Sequence, residues 1–163
     1  MERMDTCAFA LAADPVTGEY GGLAATWLMR SAYDPRSWTI SLGNNTKTLR
    51  LVLRSGVFVL SFATPAMERA FEYFGVVSGS QGINKFAETG LRTAAFGPLA
   101  IATPMLPDAH ANIACRVTHL APAGSDYMVI TGRVIGSQQR MHTRQLFYSG
   151  KSTAGVRQFR VAT

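Results

Sequence analysis

The chain has 163 residues, a length that fits one domain, and we expect residues 1–163 to form it. Charged residues make up only 16% of the sequence, below the roughly 25% of an average soluble domain, so we expect part of the surface to be buried in a homodimer. The formal net charge is +6, yet the basic residues are scattered singly, which argues against a nucleic-acid partner and suits a small anionic ligand.

The sequence also argues against several kinds of site and location. Cys7 and Cys115 lie far apart and outside any CxxC pattern, which predicts two buried thiols in a reducing, cytoplasmic setting. No apolar stretch is long enough to cross a membrane, and the charges within residues 1–5 do not suit a signal peptide. The three histidines stand apart from other ligand types, so no metal site is predicted. Rossmann, P-loop and serine-hydrolase motifs are missing. With no catalytic side chain predicted, an organic cofactor is expected to supply the chemistry.

The chain begins with strand patterns. Residues 6–13 are apolar and end at a turn signal over residues 14–18, which predicts a strand that opens a hairpin. An extended segment over residues 21–33 follows and ends at Asp34-Pro35, because the residue before a proline avoids the helical region. Residues 38–42 are rich in β-branched and aromatic side chains, which predicts a further strand.

Two helices are predicted next. Asn45 or Thr46 caps the first helix, which carries an apolar stripe and ends at Gly56. After a buried strand over residues 57–62, Thr64-Pro65 opens the second helix. Its apolar positions repeat at helical spacing and are predicted to pack in the core: Met67, Ala70, Phe71 and Phe74.

The second half of the chain predicts mainly strands. A polar loop over residues 78–82, a short turn or helix over 83–87 and an irregular segment over 97–108 come first. Strands are then predicted at residues 111–120, 127–136, 146–148 and 158–161. Because strands outnumber helices and most connections are short hairpins, the predicted fold class is mainly β with a few helices, as an antiparallel barrel.

Three segments have the composition of ligand-binding loops. Residues 21–27 are small up to a final Thr-Trp, so their backbone can approach a flat ring with polar edges; the alternative is a tight crossing of strands in the core. Residues 41–48 place a glycine turn, threonines and a lysine at a helix start, which can bind an anion; the alternative is an ordinary capped helix. Residues 78–86 form a polar loop in which Lys85 can meet a phosphate; the alternative is a surface turn.

These motifs, in this order and spacing, resemble the flavin reductase-like domain family. The resemblance runs from about Thr6 to Tyr148. It is carried by Gly22-Leu23-Ala24-Ala25-Thr26-Trp27, Asp34-Pro35, Thr46-Lys47-Thr48-Leu49, Ser55-Gly56-Val57-Phe58, Asn84-Lys85-Phe86, Cys115-Arg116-Val117 and Gly132-Arg133-Val134. The chain departs from the family at two positions, with Ala24 in place of the usual threonine and Tyr127 where many NAD(P)H-using members have a histidine.

The resemblance implies a Greek-key split β-barrel and an FMN-binding homodimer, with FAD as the alternative flavin. Thr26 and Trp27 would line the isoalloxazine ring, and Lys85 would assist at the phosphate. The complete set of implied cofactor-binding residues is Ala25, Thr26, Trp27, Ser41, Leu42, Gly43, Asn45, Thr46, Thr48 and Lys85, among which Ser41, Asn45, Thr46 and Thr48 would hold the ribityl chain and phosphate.

The function predicted from the sequence is that of a flavoprotein oxidoreductase. It would reduce flavin or a related acceptor with NAD(P)H, and a redox protein or monooxygenase could receive the electrons. The alternative is a non-catalytic electron-relay module of the same fold that holds flavin or haem. Neither nucleic acid nor membrane is an expected partner.

Overall fold

The structure is a computed structural model that describes residues 4–161. Residues 1–3 and 162–163 lie outside this range, so the prediction that the chain has no leader, which rests on residues 1–5, falls largely outside the described residues. None of the described helices is long and apolar enough to cross a membrane.

Ten strands and three α-helices form within residues 4–161. The strands are β1 (Asp5–Thr6), β2 (Ala8–Ala13), β3 (Tyr20–Ala25), β4 (Leu28–Tyr33), β5 (Arg36–Gly43), β6 (Val57–Phe62), β7 (Ala111–Ala123), β8 (Tyr127–Gln139), β9 (Leu146–Lys151) and β10 (Arg157–Val161). The helices are α1 (Lys47–Ser55), α2 (Glu68–Val76) and α3 (Lys85–Thr89), with short 3-10 turns at Pro65–Met67 and Gly79–Gln81.

The described strands pair in two antiparallel sheets. Seven strands form the larger sheet in the order β3-β2-β6-β7-β8-β5-β4, and three form the smaller one in the order β1-β9-β10. The larger sheet is not closed, because β3 and β4 are its two edges within the described range. The predicted fold class, mainly β and antiparallel with a few helices, is confirmed.

The core lies on both faces of the strands in the middle of the larger sheet. In β2 every residue is buried, because Phe9 and Leu11 pack towards α2 and α3 while Ala8 and Ala10 face α1 and the β5–β8 region. Successive side chains of a strand point to opposite faces, so nearly every residue of a strand covered on both sides is apolar. β2 is apolar throughout, and β6 is apolar except for Ser61, whose buried hydroxyl donates to Asn112 Oδ1 over 2.6 Å.

Both predicted helices are present, and their first turns differ. Thr46 caps α1 through its hydroxyl, and Gly56 ends it with a φ of 65°. Thr64 precedes a 3-10 turn instead of a regular first turn, and its side chain makes no capping hydrogen bond. The stripe predicted on the second helix is buried as expected.

The segment predicted to be extended over residues 21–33 is two strands. β3 and β4 lie at opposite edges of the larger sheet, and Thr26 and Trp27 connect them. The connection is fixed to β5 because the Ser41 N–H donates to the Trp27 carbonyl over 3.0 Å. This two-residue connection therefore brings the end of β3 close to the start of β4, although these are the two edge strands of the open sheet.

Candidate functional site

A cleft of about 880 Å³ opens where the β3–β4 connection meets the start of α1. Small-molecule sites usually occupy roughly 300–1,000 Å³. Nine of the ten residues predicted from the sequence line this cleft: Ala25, Thr26, Trp27, Ser41, Leu42, Gly43, Thr46, Thr48 and Lys85. Asn45 is exposed and does not line it; the Asn45 carbonyl instead accepts a hydrogen bond from the Ser80 hydroxyl.

One end of the cleft is the N-terminus of α1. The Thr46 hydroxyl donates to the Gly43 carbonyl over 2.9 Å and accepts from the Leu49 N–H over 3.2 Å, which fixes the turn between β5 and the helix. The N–H groups of Lys47 and Thr48 belong to the first helical turn, where no intrahelical acceptor exists. Such N–H groups, together with the helix dipole, favour a bound anion.

The other predicted wall of the cleft is the β3–β4 connection. Trp27 is 51% exposed, and its ring lies 4.9 Å from the ring of Tyr127, measured between centroids. Ser41 lies on the strand that holds this connection and also lines the cleft. A flat ligand entering here meets an aromatic pair at the rim and the end of β5 behind it.

The cleft is positively charged. Lys47, Lys85, Lys151 and Arg157 line it, and Glu19 is its one carboxylate among the described residues. Lys47 Nζ lies 2.7 Å from a carboxylate oxygen of Glu19, which lowers the pKa of Glu19. Since one carboxylate faces four cations, the cleft favours an anionic ligand.

Lys85 occupies a buried position at the first residue of α3. It is 5% exposed, and its ammonium donates to the carbonyls of Phe74 and Val77 at the end of α2. Burial, and to a lesser extent the charge of Lys47, lowers the pKa of Lys85 to about 8. The sequence predicted that a polar loop brings this lysine to a phosphate, whereas the structure places it at the start of α3 under the cleft, where its ammonium binds the carbonyls at the end of α2.

Packing explains why positions 21 and 22, which precede the Thr26–Trp27 pair, are glycines. A Cβ on Gly22 would lie 2.6 Å from Leu11 Cδ2, and a Cβ on Gly21 would lie 3.3 Å from Leu51 Cδ1. At Gly22 the structure therefore favours the alternative of a tight crossing in the core. Gly21, Gly22, Thr26 and Trp27 nevertheless all line the cleft.

Sequence reasoning missed the wall that the C-terminal strands contribute to the cleft. Tyr148 and Lys151 of β9 and Arg157 and Phe159 of β10 line it. The strands themselves were predicted, but nothing local to them indicates which helix they pack against. Only the non-local docking of the smaller sheet brings these side chains beside α2.

Reactive side chains of other kinds lie away from the cleft. Among the described residues no three His, Cys, Asp or Glu side chains converge as a metal site. Cys7 and Cys115 are fully buried and unpaired, and burial raises the pKa of each thiol to about 12. Neither cysteine lines the cleft.

Several solved structures share this fold. An NADH:FAD oxidoreductase of Streptomyces globisporus is 17% identical, with 99% of this chain and 88% of that chain covered and a TM-score of 0.80. A flavoredoxin of Desulfovibrio vulgaris is 19% identical, with coverage of 98% and 87% and a TM-score of 0.81. An FMN-binding protein of Thermus thermophilus is 18% identical, with coverage of 96% and 86% and a TM-score of 0.79.

At these identities the similarity shows the fold alone, and no curated protein matches the chain significantly. The family comparison is more specific. The model described as "Flavin reductase like domain" matches residues 1–156, which is nearly the whole chain. The chain therefore belongs to the flavin reductase-like domain family.

Proposed function

We propose that the chain, acting as one domain, binds FMN in the cleft and uses it to transfer electrons from NAD(P)H to flavin or a related acceptor. The observation that carries the proposal is the shared cleft: the N-terminus of α1 and the Thr26–Trp27 connection, distant in sequence, line one positively charged site. Membership of the flavin reductase-like family supports the same class of oxidoreductase.

The residues present fit a flavin mononucleotide. The first-turn N–H groups of α1 and the hydroxyl of Thr48 would hold the phosphate. The Thr46 hydroxyl, whose proton goes to the Gly43 carbonyl, would accept a hydrogen bond from a hydroxyl of the ribityl chain. The backbone of Thr26 and Trp27 would meet the polar edge of the ring, since Thr26 takes no part in the ladder pairing of β3 or β4. FAD remains the alternative flavin because its ring and first phosphate are the same.

The bound flavin would supply the electron-accepting ring, and the protein would bind and orient it. Lys47 would add positive charge beside the α1 N-terminus while Glu19 holds its ammonium in place. Lys85 would act from beneath, by positioning the end of α2 and by its charge. No side chain of the cleft is assigned a catalytic proton transfer.

The flavin-binding step is tested by adding FMN to the purified protein, removing free flavin and recording the visible spectrum. We expect retained flavin absorbance and a rise in thermal stability; at FMN concentrations of about 100 times Kd the gain is about 2.7 kcal/mol. Thr48→Val should weaken FMN binding, whereas Thr153→Ala, an exposed residue outside the cleft, should not. An unchanged melting temperature with no retained absorbance would refute the proposal.

One observation favours the alternative of a non-catalytic electron relay. Tyr127 stands at the rim where many NAD(P)H-using members have a histidine, and none of the three histidines lines the cleft. The cleft also offers no histidine, cysteine or methionine as a haem ligand, and tyrosine alone of the usual haem ligands lines it. The N-terminus of α1 suits the phosphate of a flavin, so among relay cofactors flavin fits better than haem. Rapid mixing of the FMN-loaded protein with NADH or NADPH separates the two functions, since bleaching by either nucleotide supports the reductase and its absence supports the relay.

We also propose a homodimer located in the cytoplasm. The sheet face formed by β4, β5, β8 and β7 away from the core carries Met29, Thr39, Thr131 and His119 in one register row, and Met29 is 61% exposed. Ser41 on the same strand also lines the cleft, so a partner seated on this face would border the flavin. The two unpaired thiols fit a reducing compartment.

A further inference from the structure

We propose that the β9–β10 end of the cleft binds the adenosine-phosphate half of a dinucleotide, namely FAD or a pyridine nucleotide. The inference rests on the proposed function, because it assigns the remaining part of the same cleft. It concerns a cation pair and an aromatic pair that the FMN arrangement leaves without a ligand.

The cation pair consists of Lys151 and Arg157. These residues are directly opposite each other in the antiparallel pairing of β9 and β10, and like charges in such positions repel. Both line the cleft, and within residues 4–161 neither forms an ion pair with a carboxylate. A phosphate bound between them would remove the repulsion and accept charge-assisted hydrogen bonds.

Part of the position of Arg157 has a structural explanation. Its guanidinium lies against Gly75, where a Cβ would overlap it, and a cation at the last turn of α2 is favoured by the helix dipole. Because α2 has no basic residue in its own last turn, Arg157 can serve there. This role at the last turn of α2 explains Arg157, but it does not explain Lys151, the second cation directly opposite.

The aromatic pair follows the cations along the same two strands. Tyr148 and Phe159 are opposite each other, their ring centroids lie 5.8 Å apart, and both line the cleft. Phe159 is held edge-on by Phe71 of α2, with centroids 6.0 Å apart, so the half-buried Tyr148 ring has firm support. A supported ring beside two cations suits a base carrying phosphate, as stacking and ionic contacts can act together.

This end of the cleft is partly outside the range that the family model matches. The match ends at residue 156, whereas Arg157 and Phe159 lie on β10 beyond it. Lys47, Lys151 and Arg157 all line the same cleft, so one extended ligand can span from the N-terminus of α1 to the β9–β10 end.

The test measures dissociation constants of FMN, FAD, ADP and NADP⁺ by flavin fluorescence and calorimetry for the unmodified protein and its variants. Arg157→Met and Lys151→Met should each weaken FAD relative to FMN about tenfold, the effect of losing one charged hydrogen bond. Arg144→Met, which removes an exposed charge outside the cleft, should change neither.

The outcomes separate the sources of the adenosine phosphate. A changed FAD-to-FMN ratio assigns it to FAD, and an unchanged ratio with tenfold weaker NADP⁺ binding to the FMN-loaded protein assigns it to the pyridine nucleotide. Unchanged FAD, NADP⁺ and ADP binding in both variants overturns the inference, and so does a lower melting temperature for Arg157→Met alone with all affinities retained. If no flavin binds the unmodified protein, the proposed function fails, and ADP binding that Arg157→Met and Lys151→Met weaken would still support the inference.

Discussion

Lys85 is a buried cation whose charge the fold only partly compensates. Its ammonium has two carbonyl acceptors and lies 4.7 Å from the centre of the Phe74 ring, yet it has no carboxylate partner among the described residues. Desolvation therefore dominates, and the pKa of Lys85 falls from 10.5 to about 8. The charged form is present at neutral pH at a cost in folding free energy.

This pKa predicts a pH dependence of stability. Between about pH 8 and 10.5 the unfolded chain holds the Lys85 proton more often than the folded chain, so this group makes the free energy of unfolding rise with pH, by at most about 1.4 kcal/mol per pH unit. Above about pH 9 the raised pKa values of Cys7 and Cys115 act in the opposite direction.

The contribution is isolated by urea unfolding of the unmodified protein and of Lys85→Met at pH 7, 8, 9 and 10. The thiols are common to both proteins, so the difference in unfolding free energy should move in favour of the unmodified protein as the pH rises from 8 to 10. Parallel profiles for the two proteins would contradict the assignment.

Gly22 gives a second prediction at the scale of one residue. Gly22→Ala places a methyl group 2.6 Å from Leu11 and 3.3 Å from Phe86 in the closed core, so it should destabilise the protein by about 1–3 kcal/mol. Gly43→Ala is the matched control for stability, because its nearest neighbour would lie at an ordinary 3.5 Å. Chemical unfolding measures both, and equal stability losses would show that Gly22 is not limited by packing.

Helix α1 shows what local sequence can predict at the scale of an element. The capping threonine, the apolar stripe and the terminal glycine lie within eleven residues, Thr46 to Gly56, and each acts through its near neighbours. The strands of the larger sheet were recognised for similar reasons. The break in the predicted extended segment at Thr26 and Trp27 was not recognised. The two edge strands that it separates, β3 and β4, are defined by pairing with other strands of the sheet, which a local pattern does not show.

The N-cap of α1 is tested by Thr46→Ala and Thr46→Ser in the ligand-free protein. Alanine removes the acceptor for the Leu49 N–H and should cost about 1 kcal/mol of unfolding free energy, whereas serine keeps the hydroxyl and should cost little. Thermal unfolding gives the comparison. If serine is as destabilising as alanine, the hydroxyl is not what holds the helix start.

The parts of the candidate site formed by residues close in sequence could be predicted, and the parts that only the fold brings together could not. Gly43, Thr46 and Thr48 lie close together in the sequence, so the predicted anion-binding turn could be inferred directly. The same local pattern included Asn45, which is exposed and does not line the cleft. Lys151 and Arg157 could not be inferred. Their role depends on the smaller sheet docking against α2, which leaves no pattern in residues 146–161.

At the scale of the whole molecule, the low share of charged residues and the sheet face containing Met29 and Thr39 lead to the proposed dimer. Thr39→Arg places a charge in the middle of that face and should shift the protein from dimer to monomer. Light scattering after size-exclusion chromatography measures the mass. Val16→Arg, at a 91% exposed turn, is the control that should leave the mass unchanged, and a monomeric unmodified protein would refute the dimer.

The two cysteines lie in different parts of the molecule, Cys7 in the cluster with α2 and Cys115 in the cluster with α1. Since both are inaccessible and hard to ionise when the protein is folded, an alkylating reagent can modify them only after the surrounding strands separate. The labelling rate of each cysteine would therefore measure how often its own side of the molecule opens. Equal rates would mean that both sides open in a single event.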